Sequence, residues 1–115
     1  MSTGRTNRNK GHRFERKVAK MLRKLGFEAC VTSRSESRNL DNAGVDLCYT
    51  DPFYFQCKNT NNQPNFRTIL KEMHPEDFTH YKVVLHHTNN KADIAVMYME
   101  DLFEIIQMLK TDKIL

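Results

Sequence analysis

Apolar positions along this 115-residue chain follow two rhythms. From Lys10 to Leu25 they fall three and four apart. Phe14, Val18, Met21, Leu22 and Leu25 form one stripe of an amphipathic helix, and Gly26 stops it as a C′ glycine. Phe27 to Thr32 has the β-propensity of a first strand. Ser33 to Asn42 is polar and reads as a mobile surface loop. A period of two then takes over. Val45, Leu47 and Tyr49 alternate with Asp46 and Cys48, and Phe53, Phe55 and Cys57 alternate with Tyr54, Gln56 and Lys58. These are two adjacent strands, with a tight turn at Thr50-Asp51-Pro52. Pro64 opens a second helix whose stripe is Phe66, Ile69, Leu70 and Met73. Tyr81 to Leu85 and Asp93 to Tyr98 are further strands, separated by the turn-rich Thr88 to Lys91. Asp101 to Lys110 is a last helix with Leu102, Ile105, Ile106 and Leu109 at core spacing. The order α-β-β-β-α-β-β-α predicts an α/β fold: one mixed central sheet flanked by helices. Residues 1–9 read as a flexible basic arm and 10–115 as a single domain.

Charge changes this picture more than composition does. The formal net charge is +4. Residues 1–26 carry nine Lys or Arg and one acid, Glu15, a net of +8, which leaves −4 for residues 27–115. A basic block on an otherwise acidic chain points to a polyanion, nucleic acid ahead of an anionic membrane; a solubilising helix face is the plainer alternative. Arg13, Arg16, Lys17, Lys20, Arg23 and Lys24 lie opposite the apolar stripe, with Lys10 at the helix start and Arg5 and Arg8 in the arm. Arg34 and Arg38 stand in the polar loop. No apolar run is long enough for a membrane span, and no secretory signal is evident. Three widely spaced cysteines, Cys30, Cys48 and Cys57, fit neither a zinc pattern nor a disulfide framework, so a reducing, cytoplasmic compartment is expected.

The candidate chemistry sits on the central strands. Alternation puts Gln56 and Lys58 on one face. With Asp46 turned the same way, an acid, an amide oxygen and an ammonium converge. Mg²⁺, or Mn²⁺, takes oxygen ligands and usually few from the protein: the Asp46 carboxylate, the Gln56 side-chain oxygen and the Cys57 backbone carbonyl. Lys58 then orients a water or stabilises charge on a phosphate. The competing reading is a half-exposed hairpin with a solvated lysine. Glu15 departs from the basic helix face. At 100° per residue it lies about 20° from Leu22, at the edge of the apolar stripe. His86 and His87 are adjacent, face opposite ways in a strand, and read as strand-end residues.

With these elements placed, the chain resembles the PD-(D/E)XK nuclease superfamily, whose core is α-β-β-β-α-β, and within it the archaeal and phage Holliday-junction resolvases. Lys10-Gly11-His12-Arg13-Phe14-Glu15-Arg16 resembles the opening helix, Gly44-Val45-Asp46 the Asp motif, and Gln56-Cys57-Lys58 the (D/E)-x-K motif. Val45 replaces a frequent Pro and Gln56 the usual acid. The resemblance implies a restriction-endonuclease-like core and a Mg²⁺-dependent, structure-selective DNA endonuclease that leaves 5′-phosphates. Glu15, Asp46, Gln56 and Lys58 are its site, and metal is held by Glu15, Asp46, Gln56 and Cys57. Arg5, Arg8, Lys10, Arg13, Arg16, Lys17, Lys20, Arg34 and Arg38 would hold the DNA backbone. The implied partner is a four-way junction, cut by a homodimer. Met97, Met99 and Phe103 are candidates for its interface, with core packing the plainer role for each. Two alternatives remain: a restriction-type or general duplex endonuclease of the same superfamily, and a non-catalytic DNA-binding protein that retains the fold.

Overall fold

The structure, a computed structural model, describes residues 3–75 and 80–115. Its first element, α1 (Gly4–Lys24), starts earlier than the apolar stripe. Thr3 is the N-cap, its hydroxyl accepting the Thr6 N–H at 3.1 Å. The residues expected as a flexible arm are therefore helical from Gly4 onward, although exposed; Met1 and Ser2 lie outside the described residues. The helix ends in a Schellman arrangement. Gly26 has φ +117, Gly26 N–H reaches Arg23 O, and Phe27 N–H reaches Leu22 O. That cap consumes Phe27, so the first strand is only β1 (Val31–Thr32) rather than 27–32.

Ser33 to Asn42 is not a loop. It forms two short helices, α2 (Ser33–Glu36) and α3 (Arg38–Asn42). Their order comes from polar groups bonding locally. Ser35 Oγ donates to Thr32 O, and Ser37 Oγ accepts the Leu40 N–H. Ser33 is fully buried and its N–H donates to Asp46 O at 2.8 Å.

β2 (Leu47–Cys48) pairs antiparallel with β1. β3 (Phe53–Asn59) pairs instead with β4 (Tyr81–His87), in parallel, and β5 (Ile94–Val96) adds antiparallel to β4. The expected single mixed sheet is thus two: a two-stranded one and a three-stranded mixed one in the order β3-β4-β5. The expected β2–β3 hairpin ladder is also absent. Tyr49, with φ 62, turns the chain out of extended geometry directly after β2.

Two cores sandwich the sheet layer. On one face, Phe14, Val18, Ala19 and Leu22 of α1 pack on Leu47, Phe55, Cys57 and Val83. On the other, α4 (Phe66–Glu72), capped by Asn65, packs Leu70 with Met73, Val45 and Val84. Phe55 against Tyr54, and Val83 against Val84, face opposite cores, as strand alternation requires. Met21 and Leu25, expected in the α1 stripe, are 53% and 76% exposed. The last helix, α5 (Met99–Thr111), buries no residue, contrary to its expected core spacing. Met97 does pack against the first core.

Gly44, at φ +82, sets up the approach to Asp46. A Cβ there would sit 3.6 Å from Met73 Cα. The space is ordinary, so the backbone conformation is the constraint. Gly44→Ala is expected to lower stability by roughly 1–2 kcal/mol, the left-handed penalty of an L residue. Urea unfolding measures this, and an unchanged midpoint would contradict it.

Candidate active site

Asp46 lies at the edge of β3 that faces away from β4. It bridges two groups of that edge. Its N–H donates to Phe55 O at 2.8 Å, and its Oδ2 accepts the Cys57 N–H at 2.7 Å. The carboxylate thus takes the place of a ladder carbonyl. In an extended strand the N–H and C=O of one residue leave the same edge, so the Cys57 carbonyl also points to the Asp46 side. Gln56 and Lys58, both half-buried, share a face of β3 and flank Cys57.

Glu15 reaches this place from α1. Its side chain is only 14% exposed, and Arg34 of α2 approaches Glu15 Oε2 at 3.6 Å. Burial pushes the Glu15 carboxyl up. Arg34 opposes that shift and Asp41 adds to it. Asp46 is perturbed further. Burial is the main cause of a pKa pushed up to about 7. The Cys57 N–H pulls it down, the charge of Glu15 pushes it up, and Lys58 pulls it down. Glu15, Asp46 and Lys58, far apart in the chain, are therefore brought within electrostatic reach of one another. Burial also raises the Cys57 thiol, which rules it out as a thiolate ligand near neutral pH. All three cysteines are buried and free.

Lys58 opens into a cleft of about 650 Å³. Asn7, Lys10 and Gly11 of α1 line one side, and Thr60 to Pro64 line the other. Gly11 falls on the core side of α1, one turn before Glu15, and its missing side chain leaves that wall open.

The basic residues do not form one face. Lys10, Arg13 and Lys17 line a groove with Phe14, Asn59, His87 and Asn89. Arg8, Arg16 and Arg34 gather instead around His12, whose pKa is lowered by burial and then by these three charges. Arg5, Lys20 and Arg38 are exposed. Asn59 Oδ1, in the Lys10 groove, is buried without a hydrogen-bond partner. The two histidines separate as expected. His86 is buried, with Nε2 2.9 Å from Thr60 Oγ1, and His87 Nδ1 pairs with Asp93 at 2.6 Å.

Two further residues take part: Asp41, which the sequence reading missed, and Ser33, whose role it left open. Asp41 on α3 acts on the charges of Glu15, Asp46 and His12. Ser33 holds the Asp46 carbonyl through its backbone. Both fall in the segment read as a loop. Pattern alone carries no signal for either, because one acts through space and the other through its main chain.

Among the described residues no three His, Cys, Asp or Glu side chains are placed to cage a metal on their own. The oxygen donors that Glu15, Asp46, Gln56 and Cys57 could offer are two carboxylates, an amide oxygen and a backbone carbonyl. This set is all hard oxygen and short of a full shell, which suits an ion that keeps several waters, such as Mg²⁺, rather than Zn²⁺. Burial first, and the charge of Glu15 after it, raise the Asp46 pKa, so positive charge at this carboxylate is favoured.

A family model described as a restriction endonuclease, Mrr_cat, matches residues 6–85, which run from the first turn of α1 into β4 and include Glu15, Asp46, Gln56 and Lys58. No curated protein and no solved structure matches the chain. Among the described residues no helix is long and apolar enough to cross a membrane.

The Asp46 shift has a consequence for stability. With a folded pKa of about 7 against an ordinary 3.8, the folded chain holds a proton that the unfolded chain releases. Stability from this group is fully present below about pH 4 and is lost as pH rises through about 7. Asp46→Asn keeps an oxygen for the Cys57 N–H and removes the charge. At pH 8, without divalent ions, it should be more stable than the parent by on the order of 1–3 kcal/mol, and equal to it near pH 4. Thermal melts across this range test the sign; a variant less stable at pH 8 would contradict it.

Proposed function

The chain belongs to the restriction endonuclease family of the Mrr catalytic type, within the PD-(D/E)XK superfamily, and is an endodeoxyribonuclease; from that premise we propose that it hydrolyses phosphodiester bonds of duplex DNA with Mg²⁺ at Glu15, Asp46, Gln56 and Lys58. One observation carries the reading: a buried carboxylate held by the Cys57 N–H, with the charges of Lys58 and a second, partly buried acid acting on it. Perturbed acids of this kind mark candidate functional sites.

Each residue has a part. Glu15 and Asp46 give carboxylate oxygens to the ion, Gln56 its amide oxygen and Cys57 its carbonyl. When bound, such an ion supplies Lewis-acid polarisation of the scissile phosphate. The Asp46 orientation is fixed in advance by its two bonds to β3. Lys58 holds the nucleophilic water or neutralises charge growing on the phosphate oxygens. Gln56, where the superfamily usually has an acid, leaves two carboxylates, so one metal is the expected load. Lys10, Arg13 and Lys17 hold the backbone of the DNA that enters the cleft and contribute affinity without sequence reading. Arg34 neutralises Glu15 in the free protein.

Duplex is preferred as the substrate because the matched family is a restriction endonuclease. The likeness to resolvases in the Glu15, Asp46 and Gln56-Cys57-Lys58 motifs supports the second reading, a preference for four-way junctions.

Supercoiled plasmid, linear duplex and a four-way junction incubated with and without Mg²⁺ test both. Nicking and linearisation that need Mg²⁺, with Asp46→Asn and Lys58→Ala each slowed about 100-fold or more, are expected. Asp46→Asn should still bind DNA. Full activity in either variant would remove the site assignment. Cleavage of junctions alone would move the substrate to branched DNA, and binding without cleavage would leave a non-catalytic protein.

A further inference from the structure

The chain holds 18 lysines and arginines and 14 acids, yet among the described residues just one of those cations forms an ion pair with a carboxylate. It is Arg34, and its partner is Glu15 of the proposed site. The other pairs between described residues are made by histidines, His80 and His87. The Arg34–Glu15 pair is unequal. The Glu15 side chain is 14% exposed and the Arg34 side chain 39%. Their 3.6 Å contact is longer than the roughly 2.7–2.9 Å of a charge-assisted hydrogen bond. Arg34 is thus loosely held at its tip, while its main chain is fixed on both sides. Ser33 is buried with its N–H on Asp46 O, and Ser35 Oγ donates to Thr32 O. A change of partner for Arg34 is therefore a swing of one side chain on a fixed α2.

Glu15 sets the terms of that swing. A carboxylate held largely out of water loses much when its counter-ion leaves, so Arg34 departs when another cation takes its place. A divalent ion on Glu15 is such a cation, and its own charge repels the guanidinium. The released side chain has neighbours of the same sign. Arg8 and Arg16 stand one turn either side of His12 on α1, and Arg34 comes to the same histidine from α2. All three arginines are exposed. Guanidinium groups grouped in this way match the oxygens of a phosphate backbone.

We propose that Arg34 is an exchangeable counter-ion, covering Glu15 in the free protein and passing to a phosphate of duplex DNA when a divalent cation takes Glu15. DNA and cation then favour each other's binding by equal factors, as linkage requires. Cation and phosphate also attract directly, so the share of Arg34 is what its removal takes away. Without Arg34 the free protein leaves Glu15 open to the cation, and DNA loses a contact that it gains when Glu15 is neutral. The cation half of this exchange rests on the reading of Glu15 as a metal ligand. The DNA half does not, because a neutral glutamine at position 15 releases Arg34 as a cation would.

Fluorescence anisotropy of a labelled duplex in EDTA, at low salt, measures the DNA half. Glu15→Gln should tighten binding about tenfold in the parent but about twofold in an Arg34→Gln background, where general repulsion of DNA by Glu15 is all that is relieved. Arg34→Gln should correspondingly weaken binding about twofold in the parent and about tenfold beside Glu15→Gln. Electron paramagnetic resonance of Mn²⁺ without DNA measures the other half: Arg34→Gln should hold Mn²⁺ about fivefold more tightly than the parent. Circular dichroism checks the fold, and Arg34→Lys, which keeps the charge, should stay nearer the parent in both assays. Additive effects of the two substitutions on DNA binding, or a parent that does not bind duplex, would overturn the proposal. So would Mn²⁺ held equally by the parent and the Arg34→Gln variant. If neither holds Mn²⁺ while the DNA effects stay non-additive, the metal reading of the site fails and the passage of Arg34 from Glu15 to DNA stands.

Discussion

The carboxylate of Asp46 accepts the Cys57 N–H, and the Asp46 N–H donates to Phe55 O. These two bonds span Gln56 and close an edge of β3 that would otherwise present unpaired groups. Much of the molecule is arranged to hold them. Gly44 turns the chain toward β3, Val45 is buried against α4, and Ser33 fixes the Asp46 carbonyl from α2. Leu47, on the other side of Asp46, anchors in the α1 core. Residue 46 is thus fastened before, at and after its own position. The same placement takes its carboxylate out of water and near Glu15, which is why its pKa rises to about 7. Structure and reactivity here share one origin, the desolvation of an acid by the edge it completes.

The regular parts of this arrangement were legible in the sequence. β3 carries an alternation that sorts Phe55 to one core and Tyr54 to the other. α1 carries a stripe whose edge holds Glu15. Gln56 and Lys58 share a face of β3 by the same alternation, whereas the Asp46 carboxylate meets that strand at its edge. What was not legible depends on bonds rather than on periods. The 33–42 segment looks like a loop by composition, but Ser35 and Ser37 bond back to the main chain and Leu40 reaches the second core. At the split of the sheet stands one left-handed residue, Tyr49, in a run whose alternation is otherwise unbroken. α5 shows the limit from the other direction. Its spacing correctly announces an amphipathic helix, while spacing alone does not say whether the apolar side meets the chain's own core.

Cations gather around the two acids of the site, Glu15 and Asp46. Arg34 sits against Glu15 from a helix of four residues, and Lys10 and Lys58 line the same cleft. Carboxylates and cations brought this close suit the proposed ligand, which carries both signs, a phosphate together with a divalent ion. Asp46 is, on this proposal, the acid held in readiness for that ion. Carbon-13 NMR of the Asp46 carboxyl, followed against pH with and without Mg²⁺, tests it directly. A midpoint near 7 in the metal-free chain, shifted well below that value by Mg²⁺, is the expected result. An ordinary aspartate midpoint that ignores Mg²⁺ would contradict the account.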